Sequence, residues 1–142
     1  MLEVRVTREF AVPADLVWQW IRDFNGLPGW VPGIRASRLE GSGIGTVRHL
    51  DISARGGQWA SERLDAFDEE ERTVVYSIVD ASLPLKNYTS TMRVIAGKGG
   101  TSCRLDWSAI FEAKDASDEE AVGFVTGAYE AGSVNLKSLL EA

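Results

Sequence analysis

The chain has 142 residues, 44% of them hydrophobic, which suits one globular domain with a real core. A formal charge of −6 and an isoelectric point near 4.8 argue against nucleic acid or an anionic membrane as a main partner, since both require a basic footprint. One cysteine, Cys103, and one histidine, His49, exclude an intrachain disulfide, a cysteine cluster and a histidine-rich metal centre, so neither metal nor cofactor is expected.

Leu2 to Phe10 alternates apolar and charged residues with period two and predicts a strand. The alternation leaves no hydrophobic signal core, and no run is long enough to cross a bilayer, so a cytoplasmic protein without membrane insertion is expected. Pro13 suits the first turn of a helix, and Leu16, Val17, Trp18, Trp20, Ile21 and Phe24 give Pro13 to Asp23 an apolar face. Asn25 to Gly33 is too rich in glycine and proline for a long element and predicts a short helix or turns anchored by Trp30. Six strands punctuated by turns follow: Ile34–Glu40, Thr46–Ser53, Gln58–Phe67, Thr73–Asp80, Lys86–Ala96 and Thr101–Glu112. The glycine-rich Gly41 to Gly45 joins two strands and precedes no helix, so it reads as a hairpin turn rather than a phosphate loop. The acidic run Asp68 to Glu71 reads as a solvated turn.

Ser117-Asp118-Glu119-Glu120 opens the last element with a capping box and an acidic first turn, both suited to the positive end of a helix. Ala121, Phe124, Val125, Ala128, Gly132, Leu136 and Leu139 recur at helical spacing to Leu140, with Val122, Tyr129 and Leu140 widening one flank. Thr126, Glu130, Ser133 and Lys137 lie opposite and are expected to meet water. Ala121, Val125 and Leu139 are expected to pack on the sheet. Gly123, Gly127 and Gly132 each cost about 1 kcal/mol relative to alanine inside a helix. Together with Asn135 in the apolar arc, they imply either close packing on a bulky neighbour or room for a ligand beside Gly127, Ala131 and Asn135.

Short turns between successive strands imply antiparallel neighbours. The expected architecture is an α+β helix grip over residues 1–142. It is a single domain in which a curved seven-stranded antiparallel sheet wraps around the long C-terminal helix, with two short helices after the first strand. Alternation turns Arg48, Leu50 and Ile52 inward, with Glu62 on the next strand. Tyr76 and Ile78 follow, then Tyr88, Ser90 and Met92, then Leu105, Trp107 and Phe111. His49 falls on the outer face, which argues against it as a general base and against a Ser-His-Asp arrangement. So many polar groups on a concave apolar surface suit a pocket better than a solid core.

The order of these segments resembles the helix-grip superfamily of START domains, birch-pollen-allergen proteins, plant abscisic acid receptors and aromatic polyketide cyclases (SRPBCC). Pro13 to Trp18 is similar to that family's first-helix opening, and Trp30-Val31-Pro32-Gly33-Ile34 to its Trp-x-Pro segment. Gly45-Thr46-Val47-Arg48 with Ser61-Glu62-Arg63-Leu64 resembles its central hairpin. Leu85 to Ser90 and Asn135-Leu136 with Leu139 are similar to segments of the plant receptors. By that resemblance Leu50, Ile52, Glu62, Tyr76, Ile78, Leu85, Tyr88, Ser90, Gly127, Ala131 and Asn135 fall where the receptors line their hormone cavity. Pro32, however, stands where the receptors place a lysine. Leu83-Pro84-Leu85 replaces their latch, Ala54 to Gly57 replaces their gate loop, and Trp107 stands where a carboxylate is usual. Abscisic acid recognition is therefore not expected, and bacterial proteins of the polyketide cyclase/dehydrase-like branch are the nearer match.

Two functions follow as expectations. The first is a protein that binds a small lipid-like or aromatic molecule. Its candidate contacts are Arg48, Leu50, Ile52, Glu62, Tyr76, Ile78, Leu85, Tyr88, Ser90, Met92, Trp107, Gly127, Ala131 and Asn135. The second is a cyclase/dehydratase-type enzyme on a poly-carbonyl or aromatic substrate, with Arg48, Glu62 and Tyr76 as catalytic candidates. In the plainer reading Arg48 and Glu62 form a structural ion pair. A third reading is a module that binds a protein partner; a homodimer is left open.

Overall fold

The computed structural model describes residues 1–52 and 57–141. Ser53, the expected end of the second of the six strands, and Ala54 to Gly56 of the segment compared with the receptor gate loop lie outside the described residues. The elements are β1 (Leu2–Phe10), α1 (Ala14–Ile21), a short 3-10 turn (Leu27–Gly29), β2 (Ala36–Glu40), β3 (Val47–Ile52), β4 (Gln58–Asp68), β5 (Thr73–Ala81), β6 (Leu85–Ala96), β7 (Cys103–Ala113) and α2 (Asp118–Leu140). The strands form one seven-stranded sheet in the order β1-β7-β6-β5-β4-β3-β2. Every neighbouring pair is antiparallel. This is an α+β helix grip.

Consecutive strands pair as the short turns require, and β1 closes on β7 in unbroken register from Leu2↔Phe111 to Phe10↔Cys103. Register shifts between Ser61 and Glu62, between Leu64 and Ala66, and between Lys86 and Thr89 supply the curvature. Asn87, inside the last of these, has φ 53°, a left-handed conformation that asparagine tolerates better than most residues.

The N-terminus of α2 is capped as expected, with Ser117 Oγ accepting the Glu120 N–H at 3.1 Å. Its buried stripe is Ala121, Val125, Tyr129, Gly132, Ser133 and Leu136. Three assignments differ from the sequence reading. Tyr129 belongs to the centre of the stripe, not to a flank. Ser133, expected to meet water, is 1% exposed, and its Oγ accepts from Arg8 Nε at 3.3 Å. Leu139, expected on the sheet, is 47% exposed, because the three- and four-residue steps through Val125, Tyr129, Gly132 and Leu136 carry the contact on to Leu140.

The packing of α2 is lopsided. The helix lies against β1 and β7. Leu105, Phe111 and Leu136 are fully enclosed there. A Cβ on Gly132 would meet Trp107 Cζ3 at 3.2 Å and Trp30 Cζ3 at 3.3 Å, so hydrogen is the side chain that fits without displacing a ring. A Cβ on Gly123 or Gly127 would meet nothing within 4 Å. Over the middle of the sheet, β3 to β5, α2 stands off and leaves a gap beneath it.

Candidate functional site

That gap is a cavity of about 310 Å³. Its floor comes from Leu50, Ile52, Ala60, Glu62, Tyr76 and Ile78, and one side from Tyr88 and Trp107. Leu27 and the segment Val31 to Ile34 form a second side, Leu83 and Leu85 a third. The roof is α2, through Phe124, Val125, Gly127, Ala128, Tyr129 and Ala131. Gly127 and Ala131 are exposed as well as lining, which sets them at the mouth. The size is at the lower end of small-molecule sites, and the lining has their usual character: mostly apolar with a few converging polar groups.

Glu62 is the charged member of the lining among the described residues. Strand pairing sets it directly opposite Arg48. Arg48 Nε donates to Glu62 Oε1 at 2.8 Å, and Nη2 lies 2.7 Å from the same oxygen. Arg48 Nη1 donates to the Phe24 carbonyl at 3.0 Å, and its guanidinium sits between the Phe24 and Tyr76 rings, 4.1 and 4.6 Å from their centroids. Arg48 is 1% exposed and does not line the cavity. It lies behind the wall and neutralises Glu62 from there, while Glu62 itself reaches the cavity.

Three buried tyrosines and a serine form the remaining polar network. Tyr88 Oη meets Tyr129 Oη in a short contact, Tyr129 Oη lies 2.7 Å from Ser90 Oγ, and Ser90 Oγ donates to the Ser108 carbonyl at 3.0 Å. Trp107 Nε1 lies 3.2 Å from both Tyr76 Oη and Ser90 Oγ. The Trp107 and Tyr129 rings stack at 4.0 Å with 9° between planes, which fixes the Tyr129 phenol over the network. Burial pushes the Tyr88 and Tyr129 phenols well above their ordinary value, and it raises Tyr76 with help from the negative charge of Glu62. All three act as neutral hydroxyls near neutral pH.

Of the candidate contacts, Leu50, Ile52, Glu62, Tyr76, Ile78, Leu85, Tyr88, Trp107, Gly127 and Ala131 border the cavity. Arg48, Ser90, Met92 and Asn135 do not. Ser90 stands one layer behind the tyrosines, and Met92 is core. Asn135 Nδ2 donates to the Trp30 carbonyl at 2.8 Å and ties the loop after α1 to α2. Sequence reasoning missed Tyr129, Phe124, Val125, Ala128, Leu83 and the run Val31 to Ile34 as lining. The Trp-x-Pro segment was a signal for the last of these. Helical spacing alone sets Tyr129 on a flank of the apolar face, whereas it is 3% exposed on the central stripe.

His49 is on the outer face, where its Nδ1 lies 2.8 Å from Ser61 Oγ and its Nε2 2.9 Å from Glu40 Oε1. A serine, a histidine and a carboxylate thus do stand in a row, but on the surface away from the cavity, with Ser61 nine-tenths buried. Among the described residues no three His, Cys, Asp or Glu side chains form a metal-ligand cluster. Among the described residues, too, no helix is long and apolar enough to cross a membrane.

Residues 1–141 match the sequence model of a family described as polyketide cyclase / dehydrase and lipid transport. The abscisic acid receptor PYL2 of Arabidopsis thaliana is 32% identical over 92 residues, covering 63% of this chain and 48% of the receptor. The chain thus spans about half the length of the curated relatives it matches. The solved structure of the protein XoxI from Bacillus cereus superposes with a TM-score of 0.91 at 36% identity, covering 100% of this chain and 99% of that one. A START superfamily protein from Mycobacterium smegmatis shares the fold, with a TM-score of 0.82 at 16% identity over 98% of this chain and 97% of that one.

Proposed function

The chain belongs to the polyketide cyclase / dehydrase and lipid transport family, and on that premise we propose that it binds a small lipid-like or aromatic molecule in the cavity beneath α2. One observation carries the reading: an apolar cavity of about 310 Å³ holds a nine-tenths-buried carboxylate that faces an otherwise greasy wall. Arg48 meets only its Oε1, and the second oxygen is left for a polar group of a ligand to satisfy. Gly127 and Ala131 give the ligand an entry, since they are the small residues at the mouth.

Native mass spectrometry of freshly purified protein tests the reading, with bound small molecules expected. A thermal-shift screen across lipids and aromatics is the second test, and several hits are expected. Gly127→Phe should block the mouth, abolish those shifts and leave the protein folded. Empty protein with no shift from any compound would remove the reading.

A second reading rests on Glu62 being the lining carboxylate. In a cyclase/dehydratase-type reaction it would take the proton from a carbon next to a carbonyl, and the Tyr76 hydroxyl would hold the developing enolate oxygen. Arg48, one layer behind, would act through Glu62. Turnover of a poly-carbonyl substrate that survives Glu62→Gln unchanged would end this reading.

A further inference from the structure

Nearly every polar hydrogen in the cavity wall is already committed. The Ser108 carbonyl can only accept, so the Ser90 hydroxyl proton goes to it. Ser90 Oγ is then an acceptor for its other neighbours. Trp107 Nε1 can only donate, and it is shared between Ser90 Oγ and Tyr76 Oη. Tyr129 Oη must donate to Ser90 Oγ, which obliges Tyr88 Oη to donate to Tyr129. The protons of Ser90, Tyr129, Tyr88 and Trp107 are therefore spent inside the protein. Among the lining hydroxyls of the described residues, Tyr76, which accepts from Trp107 and also neighbours Ser90 and Tyr129, is the one whose proton none of these bonds consumes.

Glu62 completes the inventory on the acceptor side. Its Oε1 holds Arg48, and its Oε2 has no partner among the described residues although the side chain is 9% exposed. No lysine, arginine or histidine lines the cavity among the described residues. The wall thus offers one free donor, Tyr76, and one charged acceptor, Glu62.

Resting on the binding reading above, we propose that the cavity selects a ligand whose polar end is a neutral hydroxyl, an alcohol or a phenol, and rejects carboxylates. A hydroxyl donates to Glu62 and accepts from Tyr76 at once. A ketone or ether accepts from Tyr76 but leaves Glu62 dry, an expensive outcome for a buried charge. A carboxylate brings a second negative charge into the same low-dielectric space. A cation gains less from Glu62 than its charge suggests, because Arg48 already balances that carboxylate, and it would be buried with a net charge.

The test is isothermal titration of the whole protein with two matched sets. One set is decanol, decyl methyl ether, decylamine and decanoate; the other is naphthol, methoxynaphthalene and naphthoate. The hydroxyl compound is expected to bind at least about tenfold more tightly than its ether and its acid on at least one skeleton, as a hydrogen bond to a charged group implies. Glu62→Gln should erase the preference, and Tyr76→Phe should narrow it. Should Glu62→Gln fail to fold, the wild-type series and Tyr76→Phe decide alone. Acids, ethers or the amine binding as tightly as the hydroxyl would overturn the hydroxyl proposal and leave the binding reading standing. No binding by any member to folded wild-type protein would overturn both.

Discussion

The two ends of the space under α2 are built by one helix and have opposite characters. Over β1 and β7 the helix and sheet interlock: Leu105 and Leu136 are fully enclosed, and Gly132 lets two indole rings touch the helix. Over β3 to β5 the same helix presents Gly127 and Ala131 to open space, and Leu50, Ile52 and Ile78 face a cavity. The contrast shows that a glycine in a helix has two distinct uses. Gly132 admits protein, while Gly127 leaves room at the cavity mouth.

The largest expected effect tests whether the open end is soft. Arg48→Met removes one partner of a buried ion pair and leaves Glu62 uncompensated, which should cost about 3–5 kcal/mol in urea denaturation. A cost under about 1 kcal/mol would mean that Glu62 does not depend on Arg48. The next pair compares the two ends directly. Leu105→Ala, in the enclosed end, should cost about 2–5 kcal/mol. Ile78→Ala, in the cavity wall, should cost only about 1 kcal/mol, because part of its surface meets no protein. Equal costs would erase the distinction.

The glycines give the sharper comparison, because the expected signs differ. Gly132→Ala should destabilise by about 1–3 kcal/mol, since the new methyl must displace Trp107 or Trp30. Gly127→Ala should stabilise by about 0.5–1 kcal/mol, the helix-propensity gain of an unobstructed alanine. Thermal denaturation of the two variants side by side reads both.

The smallest effect is one of pH. Tyr76, Tyr88 and Tyr129 hold their protons more tightly when folded than when unfolded, so the unfolded chain releases them first. Their contribution to stability is intact below the ordinary phenol range, about 10, and is lost as pH rises through the raised folded values. Urea midpoints should be level up to about pH 9 and fall above about pH 10. Tyr129→Phe should flatten that fall.

Much of this site was legible from strand alternation. With side chains alternating across a strand, finding the apolar face of β3 to β6 is enough to turn Glu62, Tyr76 and Tyr88 inward. Alternation does not tell a side chain facing a cavity from one facing another side chain. Arg48 shares its face with Leu50, yet it is consumed by Glu62, Phe24 and Tyr76. Asn135 shares a helix arc with Ala131, yet it is consumed by the Trp30 carbonyl. The central place of Tyr129 is hidden from the spacing for a related reason. Its rotation depends on the Trp107 ring it stacks on, a partner 22 residues away in sequence that helical spacing does not reveal.

The sequence by itself determined the order of elements, the capped start of α2 at Ser117, the antiparallel strands and the inward faces, because each depends on interactions within a few residues or on the pleat of one strand. Only the tertiary structure decided where α2 crosses the sheet. That crossing makes Gly132 a packing contact and Gly127 part of an opening. It commits the Ser90 and Tyr88 protons inside the wall and leaves Glu62 facing the cavity. Those outcomes depend on which distant side chains arrive at the same point in space, a property that no local spacing in the chain contains.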